Sequence, residues 1–311
     1  MTGRAGSFLY FFLGLMVGVF TISELAFKEK GEKQTDRRTS SFNLLRVPDT
    51  MSFAGEPVPV KRWEVNEAFD RELIYSYTDF GHISYILKLS SRYFPIIEER
   101  LRANGVPDDF KYLCVAESNL QNVVSKVGAT GFWQFMHYTG PGFSLEINNN
   151  VDERYNVIKS TDAACEYLKQ AYAKFGNWTA AAASYNCGQG GYSVQSAFQQ
   201  TNYYYDLQLP DETNKYVYRI LSFKYLMSRA KELGYIVDEQ NGYPPLATRD
   251  VVVTSTIPNL VKWACDNKTN YKMLKLLNPW LRGRFLSVKP GKSYIIKLLV
   301  DNKEDYMKTG K

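Results

Sequence analysis

The sequence of 311 residues predicts a mainly α domain followed by a small α+β module. Three observations predict it. Apolar residues recur at spacings of three and four through most of residues 56–235. Glycine, proline and Ser/Thr/Asp punctuate those stripes where helices should start and stop. After "NGYPPLATRD", at 241–250, β-branched runs flank two short helical stripes.

The elements follow in order. Phe8–Ile22, "FLYFFLGLMVGVFTI", is an apolar run of 15 residues behind Arg4, interrupted by Glu24 and closed by Lys28. That length suits the h-region of an export signal better than a spanning helix. Thr21 and Ser23 form a weak small-x-small cleavage pair; if Leu25–Phe27 also bury, residues 8–27 remain as an inner-membrane anchor. Residues 1–27 are therefore expected to be a signal or anchor, and residues 28–55, with "KEKGEKQTDRRTSS", a polar tether.

Residues 56–240 are expected to be helical. Ile86, Leu89, Tyr93, Ile97 and Leu101 form one stripe, stopped at Gly105. Pro107 opens the next helix, with Asp108 and Asp109 in its first turn. "STDAACEYLKQAYAKFG" has a Ser/Thr cap and a stopping Gly176, "WTAAAASYN" allows close helix approach, and Tyr216, Ile220, Phe223 and Met227 line a long helix. Residues 246–303 read as a β-α-α-β module.

Composition narrows the function classes. The net charge is +6, and residues 1–46 alone hold seven Lys/Arg against four Asp/Glu. The remainder is only mildly basic, so no nucleic-acid partner is expected. Cysteines at 114, 165, 187 and 265 lack C-x-x-C spacing, and only His82 and His137 are present. No metal or other cofactor is expected. The cysteines sit among small residues and read as buried apolar side chains, with a disulfide open in an exported domain. Aromatics reach 15 %, with 23 Tyr, which suits core packing or a carbohydrate cleft.

The chemistry concentrates in "VAESNLQNVVSKVGATGFWQFM", residues 115–136. On a helix, Phe110, Leu113, Cys114 and Glu117 share one stripe. Glu117 thus points where Leu would normally go. It is either a structural acid tied to Arg or backbone amides, or a carboxyl in an apolar cleft with a raised pKa, suited to general acid work. Ser118 is next to it, "GATG" lets the backbone double back, and Trp133 and Gln134 offer a ring face and an amide.

"AES", "GATGFWQFM", "VDERYN", "STDAACEYL", "FGNWTAAAASYNCGQGG" and "LPDETNKYV" occur in that order over residues 56–235. Together they resemble the lytic transglycosylase family with a lysozyme-like fold, in its membrane-bound murein transglycosylase D type. The resemblance implies cleavage of the MurNAc–GlcNAc bond of peptidoglycan without water, in the periplasm. It implies that Glu117 is the single catalytic acid and base and that Ser118 orients it or binds substrate. Gln134 would contact the sugar, Tyr185 would aim the Glu hydroxyl, Asn186 would bind the N-acetyl group, and Tyr216 would belong to the last cleft motif. Ser184 and Cys187 stand where the family uses Ala, and His137 where it uses Pro; none removes a functional group.

The other acids have local explanations: Asp108 and Asp109 at a helix start, Glu146 in a polar loop, Asp152 and Glu153 beside Arg154, and Glu212 at a helix start. A lone carboxyl suits an intramolecular mechanism in which the substrate C6 hydroxyl closes on C1 and yields a 1,6-anhydro sugar. A hydrolytic lysozyme-like muramidase and a non-catalytic murein-binding scaffold are the competing readings. The tail, with "LNP" at 277–279, resembles a LysM glycan-binding module, with "TSTIPNL" in place of the usual Gly-Asp-Ser/Thr-Leu. Glycan binding and a packing role are both open for it. Peptidoglycan glycan strands are the expected partner, and the membrane also, where the N-terminal segment is retained.

Overall fold

The computed structural model describes residues 45–235 and 241–300. The expected signal or anchor at 1–27, and the tether up to residue 44, lie outside the described residues. Among the described residues no helix is long and apolar enough to cross a membrane.

The tether expectation, which ran to residue 55, fails at its end. β1 (Met51–Phe53) and β2 (Glu56–Val58) pair antiparallel as a hairpin. Its turn is Ala54-Gly55, both at positive φ, which closes a tight two-residue connection. Phe53 is fully buried against Phe110, with ring centroids 5.2 Å apart.

The helical domain is built from α1 (Trp63–Thr78), α2 (Phe80–Ala103), α3 (Phe110–Ser118), α4 (Val157–Phe175), α5 (Trp178–Gln199) and α6 (Asp211–Ser228). The α2 stripe buries Ile86, Leu89, Ile97 and Leu101 as its spacing predicts, and Ile83 and Leu87 besides, while Tyr93 is only half-buried. Each such aliphatic side chain contributes about 1.5–3 kcal/mol by leaving water. Ala180, Ala181, Ala182 and Ala183 of α5 are fully buried, so neighbouring helices approach the backbone closely. The start of α5 is doubly capped. Asn177 accepts from the Ala180 amide at 2.7 Å, and Glu56 of the hairpin accepts from the Trp178 and Thr179 amides at 2.6 and 2.9 Å. A carboxylate there also complements the helix dipole. Gly188, at φ +77°, breaks α5 into two segments.

Two starts differ from expectation. α4 begins at Val157 under an Asn156 cap, because that side chain accepts from the Ile158 and Lys159 amides; Ser160 and Thr161 lie inside the helix. α3 begins at Phe110, so Asp108 and Asp109 precede it. Asp109 instead receives Lys224 Nζ and the Ala54 amide, both at 2.7 Å, and ties α6 and the hairpin to this corner.

The C-terminal part is β3 (Thr248–Val253), α7 (Leu260–Asp266), α8 (Tyr271–Leu277) and β4 (Tyr294–Leu299), with the strands antiparallel. It has its own core of Val253, Ile257, Leu260, Leu274, Leu286 and Ile296 among others. Val151, from the loop before α4, joins that second core. All four cysteines are free thiols. Cys114 and Cys165 are buried as expected, whereas Cys265 is exposed.

Candidate active site

Glu117 lies in the last turn of α3. The helix stops there because Asn119 adopts the left-handed conformation (φ +54°) and its amide bonds the Val115 carbonyl. Leu113 and Cys114 of the same helix are fully buried, while Glu117 is half-buried, at the edge of the core. Burial pushes its carboxyl up from 4.5 to about 7; a hydrogen bond from Tyr216 and the positive charge of Arg219 oppose that rise, and Glu212 adds to it. A helix C-terminus also disfavours negative charge.

The Tyr216 hydroxyl donates to Glu117 Oε1. Tyr216, on α6, is 2 % exposed, so the donor is held rigidly and shares its partner with little water. Arg219, one turn further along α6, donates to Glu212 at 2.8 Å and lies 3.7 Å from Glu72 of α1. Glu212, whose charge acts on Glu117, is therefore committed to the guanidinium.

The expected companions fall into two groups. Tyr216 meets Glu117 directly. Tyr185, expected to aim the Glu hydroxyl, donates instead to the Trp133 carbonyl at 2.8 Å, and the hydroxyl that reaches Glu117 is that of Tyr216. Asn186 is half-buried and its Oδ1 accepts from Thr213 Oγ1 at 2.8 Å, which fixes the amide; among the described residues its N–H2 has no acceptor.

Ser118 and Trp133 do not take the expected positions. Ser118 is 3 % exposed and its hydroxyl donates to the Cys114 carbonyl, as serines inside helices often do. It neither orients Glu117 nor faces solvent. Trp133 is fully buried, with Nε1 donating to Thr161 Oγ1 at 2.8 Å, so its ring is core and offers no face to a sugar. The cause is the loop path: Gly131 (φ +85°) turns the chain inward just before it.

Gln134 sits in the left-handed region (φ +50°), and its Nε2 donates to the carbonyls of Gly131 and Val123 at 2.7 and 3.2 Å. Among the described residues its amide oxygen has no hydrogen-bond donor, so it remains an acceptor. His137 is exposed, Trp178 packs between Tyr172 and Phe110, and Tyr204 and Tyr205 are buried. Sequence reasoning missed Thr213, Arg219 and Glu72. Thr213 was within reach, because it lies in the same "ETNKY" segment as Tyr216. Among the described residues, no group of three or more His, Cys, Asp or Glu side chains is placed to hold a metal ion.

A cavity of about 450 Å³ opens away from this group, between the loop at 146–151 and the C-terminal part, lined by Glu146, Asn149, Lys289, Lys292 and Tyr294 among others. It contains none of the Glu117 cluster.

Residues 94–206 match the family described as transglycosylase SLT domain, and residues 249–301 match the soluble lytic transglycosylase C-terminal LysM-like domain. The chain is 26 % identical over 206 residues to the membrane-bound lytic murein transglycosylase D of Escherichia coli (strain K12). That stretch is 64 % of this chain and 45 % of the relative, so the chain spans under half of that relative's length. It is also 23 % identical over 193 residues to a putative tributyltin chloride resistance protein of Alteromonas sp. (strain M-1), covering 60 % of this chain and 87 % of that one. The chain thus carries a transglycosylase SLT domain over residues 94–206 and a LysM-like domain of the soluble lytic transglycosylase C-terminal kind over residues 249–301.

Proposed function

We propose that this protein cleaves the MurNAc–GlcNAc β-1,4 bond of peptidoglycan and forms a 1,6-anhydroMurNAc end, with Glu117 acting first as acid and then as base. One observation carries the reading: Glu117 is a half-buried carboxyl whose pKa is pushed up to about 7, and it is aimed by Tyr216. A carboxyl of that kind holds its proton near neutral pH and still yields it to a developing alkoxide.

The steps balance without water. Glu117 gives its proton to the glycosidic oxygen, and the bond from that oxygen to C1 breaks. The positive charge at C1 is stabilised by the substrate's own 2-acetamido group, whose carbonyl accepts from the Asn186 amide. The ionised Glu117 then takes the proton of the C6 hydroxyl as that oxygen bonds to C1, and the acid is regenerated.

Among the described residues, the engagement of Glu212, Glu72 and Asp152 by arginines supports this over hydrolysis. An inverting hydrolase needs a base to activate water, and a retaining one needs a nucleophile. Glu212 and Glu72 are both held by Arg219, and Asp152 is paired with Arg154. Peptidoglycan strands are the substrate in this proposal, with the LysM-like part as a further contact for them. Placement in the periplasm, with residues 8–27 as export signal or anchor, belongs to the same proposal and rests on the apolar run there.

Zymography on purified peptidoglycan tests it. The parent chain should clear the gel, and Glu117→Gln should not clear it while still sedimenting with insoluble peptidoglycan. Clearing by Glu117→Gln at most of the parent rate would remove the assignment. A non-catalytic scaffold would leave both gels intact.

A further inference from the structure

We infer that Arg154 is a positioning residue through which docking of the C-terminal part sets the cleft loop that carries Gln134. The inference rests on the reading of the Glu117 cluster as an active site. Arg154 and Asp152 are each 7 % exposed and form a bidentate pair, Nε and Nη2 donating to the two carboxylate oxygens at 3.0 and 2.8 Å. Its remaining nitrogen, Nη1, donates to the carbonyls of Phe135 and Gly128 at 3.1 and 3.3 Å. Those carbonyls bracket the segment that holds Gly131, Trp133 and Gln134.

The backbone at Arg154 touches the same segment. A Cβ on Gly131 would lie 1.9 Å from the Arg154 carbonyl oxygen, so the two backbone segments are in direct contact there. From this segment the Trp133 carbonyl accepts from Tyr185, and the Gln134 amide is fixed on Gly131. A displacement of Arg154 thus moves both a cleft wall and the Gln134 acceptor.

The other side of residues 150–154 belongs to the C-terminal part. The Asp152 amide donates to the Trp280 carbonyl at 2.9 Å, and Val151 forms a β-bridge with Leu281. Val151 is 2 % exposed inside the second core. The amides of Arg282 and Gly283 both donate to the Asn150 carbonyl, and the Arg282 guanidinium stacks 4.1 Å above the Tyr155 ring. Lys292 and Tyr294 close on Glu146 at the edge of the seam. One short stretch is therefore core on one side and the anchor of the cleft loop on the other. A freely tethered module would have no such contact.

The test uses the full chain with ¹⁵N-labelled glutamine, reading the Gln134 side-chain N–H2 signals alongside kcat and KM on soluble glycan fragments. Arg154→Lys keeps the charge for Asp152 but not the fork that reaches both carbonyls. Val151→Asp, and the milder Val151→Ala, loosen the seam from the other side. We expect these variants to stay folded by backbone amide dispersion, to shift or broaden the Gln134 signals, and to lower kcat about tenfold with little change in KM. Lys297→Ala, at a half-buried side chain whose ammonium pairs with Asp250, should leave both readouts at the parent values. Unchanged Gln134 signals in Arg154→Lys, or in both Val151 variants, would overturn the inference. Should the parent chain prove inactive on peptidoglycan while the signals still respond, the coupling stands and the proposed activity falls.

Discussion

The hydroxyl of Tyr216 donates a hydrogen bond to the Glu117 carboxyl, joining the last turn of α3 to the first half of α6. Because that bond favours the ionised form, it restrains a pKa that burial alone would lift further. Tyr216→Phe should therefore move the alkaline limb of kcat/KM to higher pH. It should also lower kcat by roughly 10- to 100-fold, because the acid loses its aim. A pH–rate profile on soluble muropeptides checks both. An unmoved limb would separate Tyr216 from Glu117.

The same carboxyl makes stability depend on pH. In the unfolded chain it ionises at 4.5, while the folded protein holds the proton up to about 7. Its contribution is thus fully present below 4.5 and is lost as pH rises through about 7. Glu117→Gln, uncharged and nearly isosteric, should match the parent below pH 4.5 and exceed it by an amount on the order of 2–3 kcal/mol above pH 7. Urea unfolding of both proteins across that range provides the measurement.

Thr213 is 1 % exposed and spends its hydroxyl on Asn186. Thr213→Val should let the amide rotate and leave it without a fixed donor direction. We expect KM for N-acetylated glycans to rise about fivefold with a smaller change in kcat, since about 1 kcal/mol of binding is lost. Equal losses in kcat and kcat/KM would assign Asn186 to the transition state alone.

Trp133→Phe should behave as a core substitution. It removes the Nε1 bond to Thr161 and part of a fully buried ring, at a cost of about 1–3 kcal/mol. KM should stay near the parent value, because the ring has no exposed face. A large rise in KM with unchanged Tm would restore it to the cleft.

Gly131→Ala combines a residue at φ +85° with a Cβ 1.9 Å from the Arg154 carbonyl. It should cost more than about 2 kcal/mol and lower activity with it. Thermal unfolding checks the first part.

The helical order and the β-α-α-β tail were legible because each has a strong period and clear stops. Glu117 was legible for the same reason, as an acid on a stripe of core residues. What was not legible depends on contacts distant in sequence. Nothing near Tyr185 or Tyr216 tells which hydroxyl reaches Glu117, since the packing of α6 on α3 decides it. Trp133 follows a glycine-rich loop, and only the turn at Gly131 sends its ring inward. Asp152 and Arg154 read as a local charge cluster, yet both are buried, Arg154 against the Gly128 and Phe135 carbonyls and Asp152 with its amide on the Trp280 carbonyl. The hairpin at 51–58 carried a readable signal in "FAGEPV", but its polar surroundings masked it.

Product mass tests the central claim most directly. Purified peptidoglycan digested with the full chain should release muropeptides ending in 1,6-anhydroMurNAc, lighter by one water than those a muramidase gives, and Glu117→Gln should release none. Reducing MurNAc ends from the parent chain, or undiminished release by the variant, would contradict it.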